Sequence, residues 1–169
     1  TGFDGIAVEQ GKTYLLSLFG RVEQGSGRKV RVALRTKDGR EIGSTTVTLP
    51  REGWRKVEAT IKAAETAPDA ELAMMPAEAG RYALDMVSLF PKDTYKGRRN
   101  GLRRDLAEAI ADLRPRFVRF PGGCVAHGNG LKNIYRWKNT IGPLESRKGM
   151  YNIWNYRQSM GLGFYEYFQ

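Results

Sequence analysis

The spacing of apolar residues changes once along this chain of 169 residues, close to Pro91. Before that point apolar and polar residues alternate, as Val30, Val32 and Leu34 do with their neighbours, and this is the period of a half-buried β-strand. Residues 37–40 contain an Asp-Gly pair, which tolerates the positive φ of a tight hairpin turn. Several short strands separated by turn signals, without a helical period, predict an antiparallel β-sandwich over residues 1–90.

After Pro91 the apolar residues follow a helical period. Apolar residues recur at positions i, i+4, i+7, i+8 and i+11, namely Leu102, Leu106, Ala109, Ile110 and Leu113. This spacing predicts an amphipathic α-helix. Pro115 ends this helix, because proline disfavours helical geometry in the residue before it. We predict a strand at 117–120, then an irregular loop, and a second helix from Gly161 to Gln169. Elements in this order are typical of part of an alternating α/β array.

Charge is distributed unevenly between these two regions. Residues 1–90 contain 13 lysines and arginines against 12 aspartates and glutamates, whereas residues 91–169 contain 15 against 6. The second region therefore either binds a polyanion or belongs to a larger protein whose acidic residues lie elsewhere. Cys124 is the only cysteine, which excludes an internal disulfide framework. No apolar run approaches the ~18 residues of a membrane span, and the residues after Thr1 lack the pattern of a leader peptide.

The end of the predicted strand at 117–120 holds the candidate binding residues. Arg119 lies just before Pro121, Gly122 and Gly123. Two adjacent glycines permit backbone conformations closed to other residues and let a ligand approach the main chain. An arginine can bind a carboxylate through two hydrogen bonds of fixed geometry. A simple turn, with Arg119 in a structural ion pair, explains the same residues equally well.

The other reactive side chains of this region give weaker signals. Cys124 is more simply a buried, inert thiol than a nucleophile, since activation requires a basic partner and His127 is the only histidine. One cysteine and one histidine do not supply the ~4 ligands of a zinc site, and we expect no metal and no cofactor. The region also contains a series of aromatic residues, namely Tyr135, Trp137, Tyr151, Trp154 and Tyr156. Aromatic rings are suited either to stacking on sugars or to packing in a core.

Three segments of the second region resemble a known family. They are RRNGLRRDLAEAIADLRPRFVRFPGGCVAHG, YRWKNTIGPLESRKG and GLGFYEYFQ. Together they resemble the α-L-arabinofuranosidases of glycoside hydrolase family 51. The upstream segment YALDMVSLFPKDTYKGRRNGLR is similar to the junction, in that family, between a β-sandwich and a (β/α)8 barrel. The resemblance covers essentially the whole chain, and its Arg-Phe-Pro-Gly-Gly-Cys and Trp-Lys-x-x-Ile-Gly-Pro elements are specific in combination.

The resemblance implies a multi-domain α and β protein. Residues 1–90 then form a jelly-roll β-sandwich similar to a carbohydrate-binding module, and residues 91–169 form the first, incomplete portion of a (β/α)8 glycosidase barrel. The implied activity is that of a retaining enzyme that removes terminal α-L-arabinofuranosyl residues from plant polysaccharides and oligosaccharides. The expected partner is an arabinose-containing carbohydrate, with no nucleic acid and no membrane, in the periplasm or outside the cell. We expect the separate chain to self-associate and the complete enzyme to oligomerise.

The resemblance also assigns roles to single residues. Arg119 ends an early barrel strand and points at the sugar site beside the nucleophilic glutamate, which a neighbouring cation keeps ionised. Gly122 and Gly123 let the main chain approach the arabinose, and Cys124 lines the same pocket. Trp137 matches an aromatic position near the substrate groove.

The catalytic carboxyl groups are missing from this sequence. A retaining glycosidase needs two carboxyl groups ~5 Å apart, and the resemblance implies glutamates on later barrel strands, the acid/base one after an asparagine. No Asn-Glu pair occurs here, so residues 1–169 alone are predicted to be inactive. The chain also departs from the family at His127, where a glutamate is usual. Two alternatives stay open: a non-catalytic carbohydrate-binding module with a basic extension, and a nucleic-acid binder, against which the absence of a binding motif argues.

Overall fold

The computed structural model describes residues 4–99 and 101–168. The chain forms two compact units, Thr1–Glu108 and Ala109–Gln169. The last strand of the first unit ends at Pro91, and the domain boundary predicted at residue 90 stays a prediction. Among the residues described, no helix is both long and apolar enough to cross a membrane.

The described part of the first unit contains seven strands in two antiparallel sheets. They are β1 (Ile6–Val8), β2 (Thr13–Gln24), β3 (Lys29–Arg35), β4 (Glu41–Thr48), β5 (Arg55–Lys62), β6 (Ala67–Pro76) and β7 (Arg81–Pro91). One sheet has the strand order β1-β6-β3-β4 and the other β5-β2-β7. Buried side chains from both sheets form one core, among them Leu16, Leu18, Val32, Leu34 and Ile61. This arrangement confirms the predicted β-sandwich.

The period-2 pattern decides which side chains enter that core. Val32 and Leu34 of β3 are fully buried. Arg31, which lies between Val30 and Val32 in the chain, is exposed. The predicted hairpin is confirmed, because β3 pairs with β4 and Gly39 in the turn has a φ of +88°. Strand β1, which pairs with β6, was not predicted, since three residues carry too little periodicity to be distinguished from a loop.

Trp54, the one tryptophan of the sandwich region, lies at its surface. Its side chain is 48% exposed, and the guanidinium carbon of Arg21 lies 5.1 Å from the centre of its ring. Cation–π contacts of this kind occur at exposed as well as buried sites. Trp54 therefore contributes little to the core.

The elements after β7 are short. They are the 3₁₀-helix Tyr95–Gly97, α1 (Arg104–Asp112), α2 (Gly123–His127), the 3₁₀-helices Trp137–Thr140 and Leu144–Ser146, the paired strands β8 (Met150–Tyr151) and β9 (Arg157–Gln158), and α3 (Phe164–Tyr167). Helix α1 confirms the first predicted helix and ends before Pro115, as expected. Its apolar stripe is largely exposed, with Leu106 at 54% and Ile110 at 60%. Helix α3 lies within the second predicted helix, whose end at Gln169 lies outside the described residues.

The prediction of a strand at 117–120 is wrong for the 169-residue chain, because the structure contains no strand among these described residues. Phe117 and Val118 are 81% and 68% exposed. A strand needs a neighbour that satisfies its backbone hydrogen bonds, and residues 117–120 pair with no described segment. The predicted barrel stays a prediction.

Candidate functional site

Arg119 lies beside the Pro-Gly-Gly turn in the second unit. Its Nη2 atom lies 3.5 Å from the position that a Cβ atom on Gly123 would occupy, and its side chain is exposed. Within the described part of this unit, the one ion pair joins Arg147 to Glu166. Arg119 is therefore not neutralised by any described carboxylate, and its guanidinium donors are available to a ligand.

Glycine is required in this turn by backbone conformation. Gly122 has a φ of +113°, which a residue with a side chain adopts only under strain. A Cβ atom on Gly122 would meet nothing within 4 Å among the described residues, so crowding is not the reason for glycine. The turn follows a cis Phe120-Pro121 peptide bond and leads directly into α2, which begins at Gly123.

An aromatic cluster holds the residue next to Arg119. We define it as Phe120, Trp137, Phe164, Tyr167 and Phe168. The Phe120 ring stacks on Tyr167 with centroids 4.2 Å apart and lies 5.5 Å from Phe164. The Phe164 ring in turn lies 5.2 Å from the Trp137 ring. Rings at these separations attract one another. The cluster therefore links the Arg119 turn, helix α3 and Trp137.

Thr140 and Gly163 fasten the Trp137–Thr140 helix to α3. The buried Thr140 hydroxyl donates to the Trp137 carbonyl at 2.7 Å and accepts the Phe164 N–H at 2.9 Å. A Cβ atom on Gly163 would lie 2.1 Å from the Thr140 Cβ, so no larger residue fits there. This contact fixes where the Trp137 ring meets the aromatic cluster.

A buried arginine organises the loops around α3. The Arg147 side chain is 4% exposed and donates to both carboxylate oxygens of Glu166, at 2.7 and 3.0 Å. It also donates to the carbonyls of Gly142, Met160 and Gly161 at 2.9, 3.0 and 3.2 Å. This ion pair was not predicted, because nothing in the sequence marks two residues 19 positions apart as partners.

Glu166 is held as an anion. It accepts the Gly163 N–H at 2.9 Å in addition to the two bonds from Arg147. Partial burial on its own raises the pKa of Glu166, but these hydrogen bonds outweigh it and hold the pKa below its ordinary 4.5. A carboxylate of this kind does not serve as a general acid near neutral pH.

Cys124 and His127 both lie on α2, and each is exposed. Cys124 is a free thiol, contrary to the buried position that its residue type suggests. The His127 Nδ1 atom lies 2.6 Å from the Gly128 carbonyl oxygen, and since a carbonyl only accepts, Nδ1 carries the proton. Among the described residues no group of three or more histidines, cysteines, aspartates and glutamates is arranged to hold a metal.

Asn152 shapes a loop that exposes two further aromatic rings. Its buried side chain accepts the N–H groups of Trp154 and Tyr156 at 2.9 and 3.4 Å and donates to the Gln158 side chain at 3.0 Å. Trp154 and Tyr156 are 50% and 55% exposed, with centroids 6.4 Å apart and planes inclined by 19°. Of the predicted aromatic series, Trp137 thus belongs to the aromatic cluster and Trp154 and Tyr156 form this exposed pair, whereas Tyr135 and Tyr151 belong to neither group.

The arrangement is suited to holding a ligand rather than to breaking a bond. Arg119 and Gly123 are brought together, and Trp137 is connected to them through the aromatic cluster. The second unit contains three carboxylates, at Asp112, Glu145 and Glu166, and none lies within ion-pair distance of Arg119.

Comparisons with known proteins identify α-L-arabinofuranosidases among the relatives of this chain. A family model described as the alpha-L-arabinofuranosidase 1 domain matches residues 109–169. The chain is 46% identical, over 98% of its length, to an extracellular exo-α-L-arabinofuranosidase of Streptomyces chartreusis, of which it covers 21%. It is 38% identical, over 99% of its length, to α-L-arabinofuranosidase 1 of Arabidopsis thaliana, of which it covers 25%.

A solved structure supports the same relationship. An arabinose-bound α-L-arabinofuranosidase of glycoside hydrolase family 51 superposes with a TM-score of 0.85 at 36% identity, covering 98% of this chain and 28% of its own. The chain thus spans roughly a quarter of the length of these relatives.

Proposed function

Because this chain belongs to the α-L-arabinofuranosidases of glycoside hydrolase family 51, we propose that it supplies the β-sandwich and the substrate-holding start of the catalytic barrel of such an enzyme. The complete protein removes terminal α-L-arabinofuranosyl residues from arabinose-containing plant polysaccharides and oligosaccharides, with retention of configuration. It acts in the periplasm or outside the cell, where such polymers occur.

The observation that carries this proposal is the unneutralised guanidinium of Arg119 beside Gly123. In a retaining glycosidase one carboxyl group attacks as the anion while the other donates a proton. A cation within a few ångström of the nucleophile favours its charged form and lowers its pKa. Arg119 performs this role, and because Phe120 is packed in the aromatic cluster, the backbone that carries Arg119 is held in place before the substrate arrives.

The neighbouring residues hold the sugar. The turn at Gly122 and Gly123 leaves the backbone open, so that arabinose hydroxyl groups can approach it closely. The exposed Cys124 thiol lines the same pocket at the first turn of α2. Trp137, 45% exposed, offers part of its ring to a sugar in the substrate groove while Phe164 supports it from behind.

The bond-breaking carboxylates belong to other parts of the complete protein. Glu166 is engaged by Arg147, and both Asp112 and Glu145 are exposed on short elements of this chain. Purified residues 1–169 are therefore expected to show no turnover of an aryl α-L-arabinofuranoside, beside a complete protein that hydrolyses it. Turnover that stays with the 169-residue chain through repurification contradicts the proposal.

Arg119 provides the sharper test. In the complete protein Arg119→Ala is expected to lower kcat by ~100-fold or more, as for loss of a preorganised charged contact at the reacting centre, without changing Tm. The matched control is Arg116→Ala, which removes the same charge from an exposed position of the same segment and leaves kcat unchanged. Near-normal turnover by Arg119→Ala contradicts the role given to Arg119.

A further inference from the structure

The second unit contains a cavity of about 850 Å³ whose lining does not include Arg119. Its size lies in the range of pockets that hold small ligands. Its polar lining consists of three cations and three amides, namely Lys132, Arg136, Lys148, Asn129, Asn133 and Asn139. No acidic residue lines it among the described residues. The cavity is therefore complementary to a ligand that is both negatively charged and rich in hydrogen-bonding groups.

The positive charge of this cavity is not neutralised within the described chain. The Arg147–Glu166 pair is the one ion pair in the described part of this unit, so Lys132, Arg136 and Lys148 have no carboxylate partner there. Arg136 uses one N–H to bond the Leu131 carbonyl at 2.9 Å, which leaves its remaining donors available. Three like charges around one cavity repel one another, and a bound anion relieves this repulsion.

The amides distinguish a sugar from a simple anion. An asparagine side chain donates and accepts hydrogen bonds at the same time, as adjacent hydroxyl groups of a sugar ring also do. Asn133 accepts the Asn129 N–H at 2.7 Å, which orients its amide nitrogen for further donation. Tyr151, 60% exposed, lies at the same cavity and adds an aromatic surface. A sugar that carries a carboxylate satisfies both the cations and the amides.

The cavity is connected to the candidate substrate site by one short helix. Arg136 and Asn139 line the cavity, and Trp137 between them packs against Phe164 in the aromatic cluster. The Trp137–Thr140 helix thus contributes side chains both to the cavity and to the cluster that supports Arg119.

We propose that this cavity binds uronic-acid residues of the polysaccharide whose arabinofuranosyl groups the protein removes. This inference rests on the proposed function for the identity of the polymer. The carboxylate accepts charge-assisted hydrogen bonds from Lys132, Arg136 and Lys148, and the asparagines bind the ring hydroxyls. The cavity thereby favours acidic, arabinose-substituted polymers over neutral ones.

Binding to the complete protein tests this inference, with trigalacturonic acid as the acidic probe and xylotriose as the neutral one. We expect trigalacturonic acid to bind more tightly, and its Kd to rise about tenfold in Lys148→Gln and in Lys132→Gln, as for loss of one charge-assisted bond. Lys148→Arg keeps the charge and retains most of the affinity. The control Arg116→Gln removes one charge of the same unit outside the cavity, and its Kd stays unchanged.

The outcomes separate this inference from the proposed function. Hydrolysis of an aryl α-L-arabinofuranoside, which carries no carboxylate, is measured on the same wild-type sample, and its absence contradicts the proposed function alone. Equal affinity for the two trisaccharides contradicts the cavity proposal, as does a Kd that Lys148→Gln leaves unchanged in a variant with wild-type Tm. Equally tight binding of an oligonucleotide that competes with trigalacturonic acid contradicts it too, since the cavity is then a general polyanion site.

Discussion

The two units of this molecule are stabilised in different ways. Among the residues that the structure describes, 17 of the 18 buried apolar residues lie in the first unit, whereas 17 of the 22 exposed large apolar residues lie in the second. The first unit buries its apolar surface between two sheets. The second is organised by the Arg147–Glu166 ion pair, the Asn152 loop and the aromatic cluster. Exposed apolar surface of this kind is typical of a region that binds a partner, a ligand or further copies of itself.

The contrast has an energetic basis. Apolar burial contributes about 25 cal/mol per Å² removed from water, whereas a hydrogen bond contributes only about 1 kcal/mol net. A unit held by a few polar contacts therefore gains much less stability than a sandwich with a closed core. If the chain forms the start of a barrel, as proposed, the rest of that barrel is expected to cover α1 and residues 117–118 and to supply the missing burial.

The largest expected effect is a difference in folding between the two units when each is produced as a separate segment. Residues 1–108 alone are expected to unfold in one cooperative thermal transition, because their core is self-contained. Residues 109–169 alone are expected to show no such transition and to self-associate through their exposed apolar side chains. Calorimetry and size-exclusion chromatography check both statements. A disordered spectrum for 1–108, or a sharp transition for monomeric 109–169, contradicts the comparison.

Truncation of single apolar side chains is expected to distinguish the units next. Leu18 is fully buried in the sandwich core, and Leu18→Ala should lower the free energy of unfolding by about 3–4 kcal/mol, through lost burial and a residual cavity. Phe117 is 81% exposed. Phe117→Ala in the 169-residue chain should therefore change the free energy of unfolding by less than about 0.5 kcal/mol. Denaturant titration of each variant measures this difference, and equal losses for the two contradict it.

The buried ion pair is expected to matter more than a surface one. Arg147→Ala leaves the Glu166 carboxylate without its partner, which should destabilise the α3 region by about 3 kcal/mol. Hydrogen exchange at the Phe164 and Tyr167 amides reports this loss. The control is Arg31→Ala in the sandwich, whose exposed pair with Glu41 should contribute nothing measurable. If Arg147→Ala leaves the hydrogen-exchange protection of these amides unchanged, other interactions stabilise the second unit.

The smallest expected effect concerns pH. The folded pKa of Glu166 lies below its unfolded value, so its stabilising effect is complete above pH 4.5 and is lost as pH falls through the folded pKa. The loss should be smaller than in Arg147→Ala, because a protonated Glu166 still accepts hydrogen bonds. Fluorescence of Trp137, followed in a variant that lacks the other two tryptophans, reports the transition. In Glu166→Gln this pH dependence should disappear. If the pH dependence persists in that variant, another titratable group causes it.

Much of the fold was predictable from local sequence order. The alternation in β3, the Asp-Gly turn at Gly39 and the spacing of α1 each predicted an element that the structure contains. These features are predictable because side-chain direction repeats every two residues in a strand and every 3.6 in a helix. The strand at 117–120 was predicted wrongly for the same reason, since local pattern does not reveal whether a pairing neighbour is present.

The candidate site was predictable only in part. The Pro-Gly-Gly turn marked Arg119, but the residues alone allowed either a ligand contact or a structural ion pair. The structure excludes the ion pair among the described residues. It also reveals the cavity of Lys132 and Lys148, which no spacing in the sequence indicated.

By itself, the sequence determined the sandwich, its hairpin, helix α1 and the glycines of the turn, because each depends on neighbouring residues and on backbone conformations that few residues adopt. Only the tertiary structure decided that Arg147 pairs with Glu166, that Phe120 meets Tyr167 and that three cations surround one cavity. These contacts join residues far apart in the chain. Their energies depend on distance in space and on the exclusion of water, and neither quantity is encoded in local sequence order.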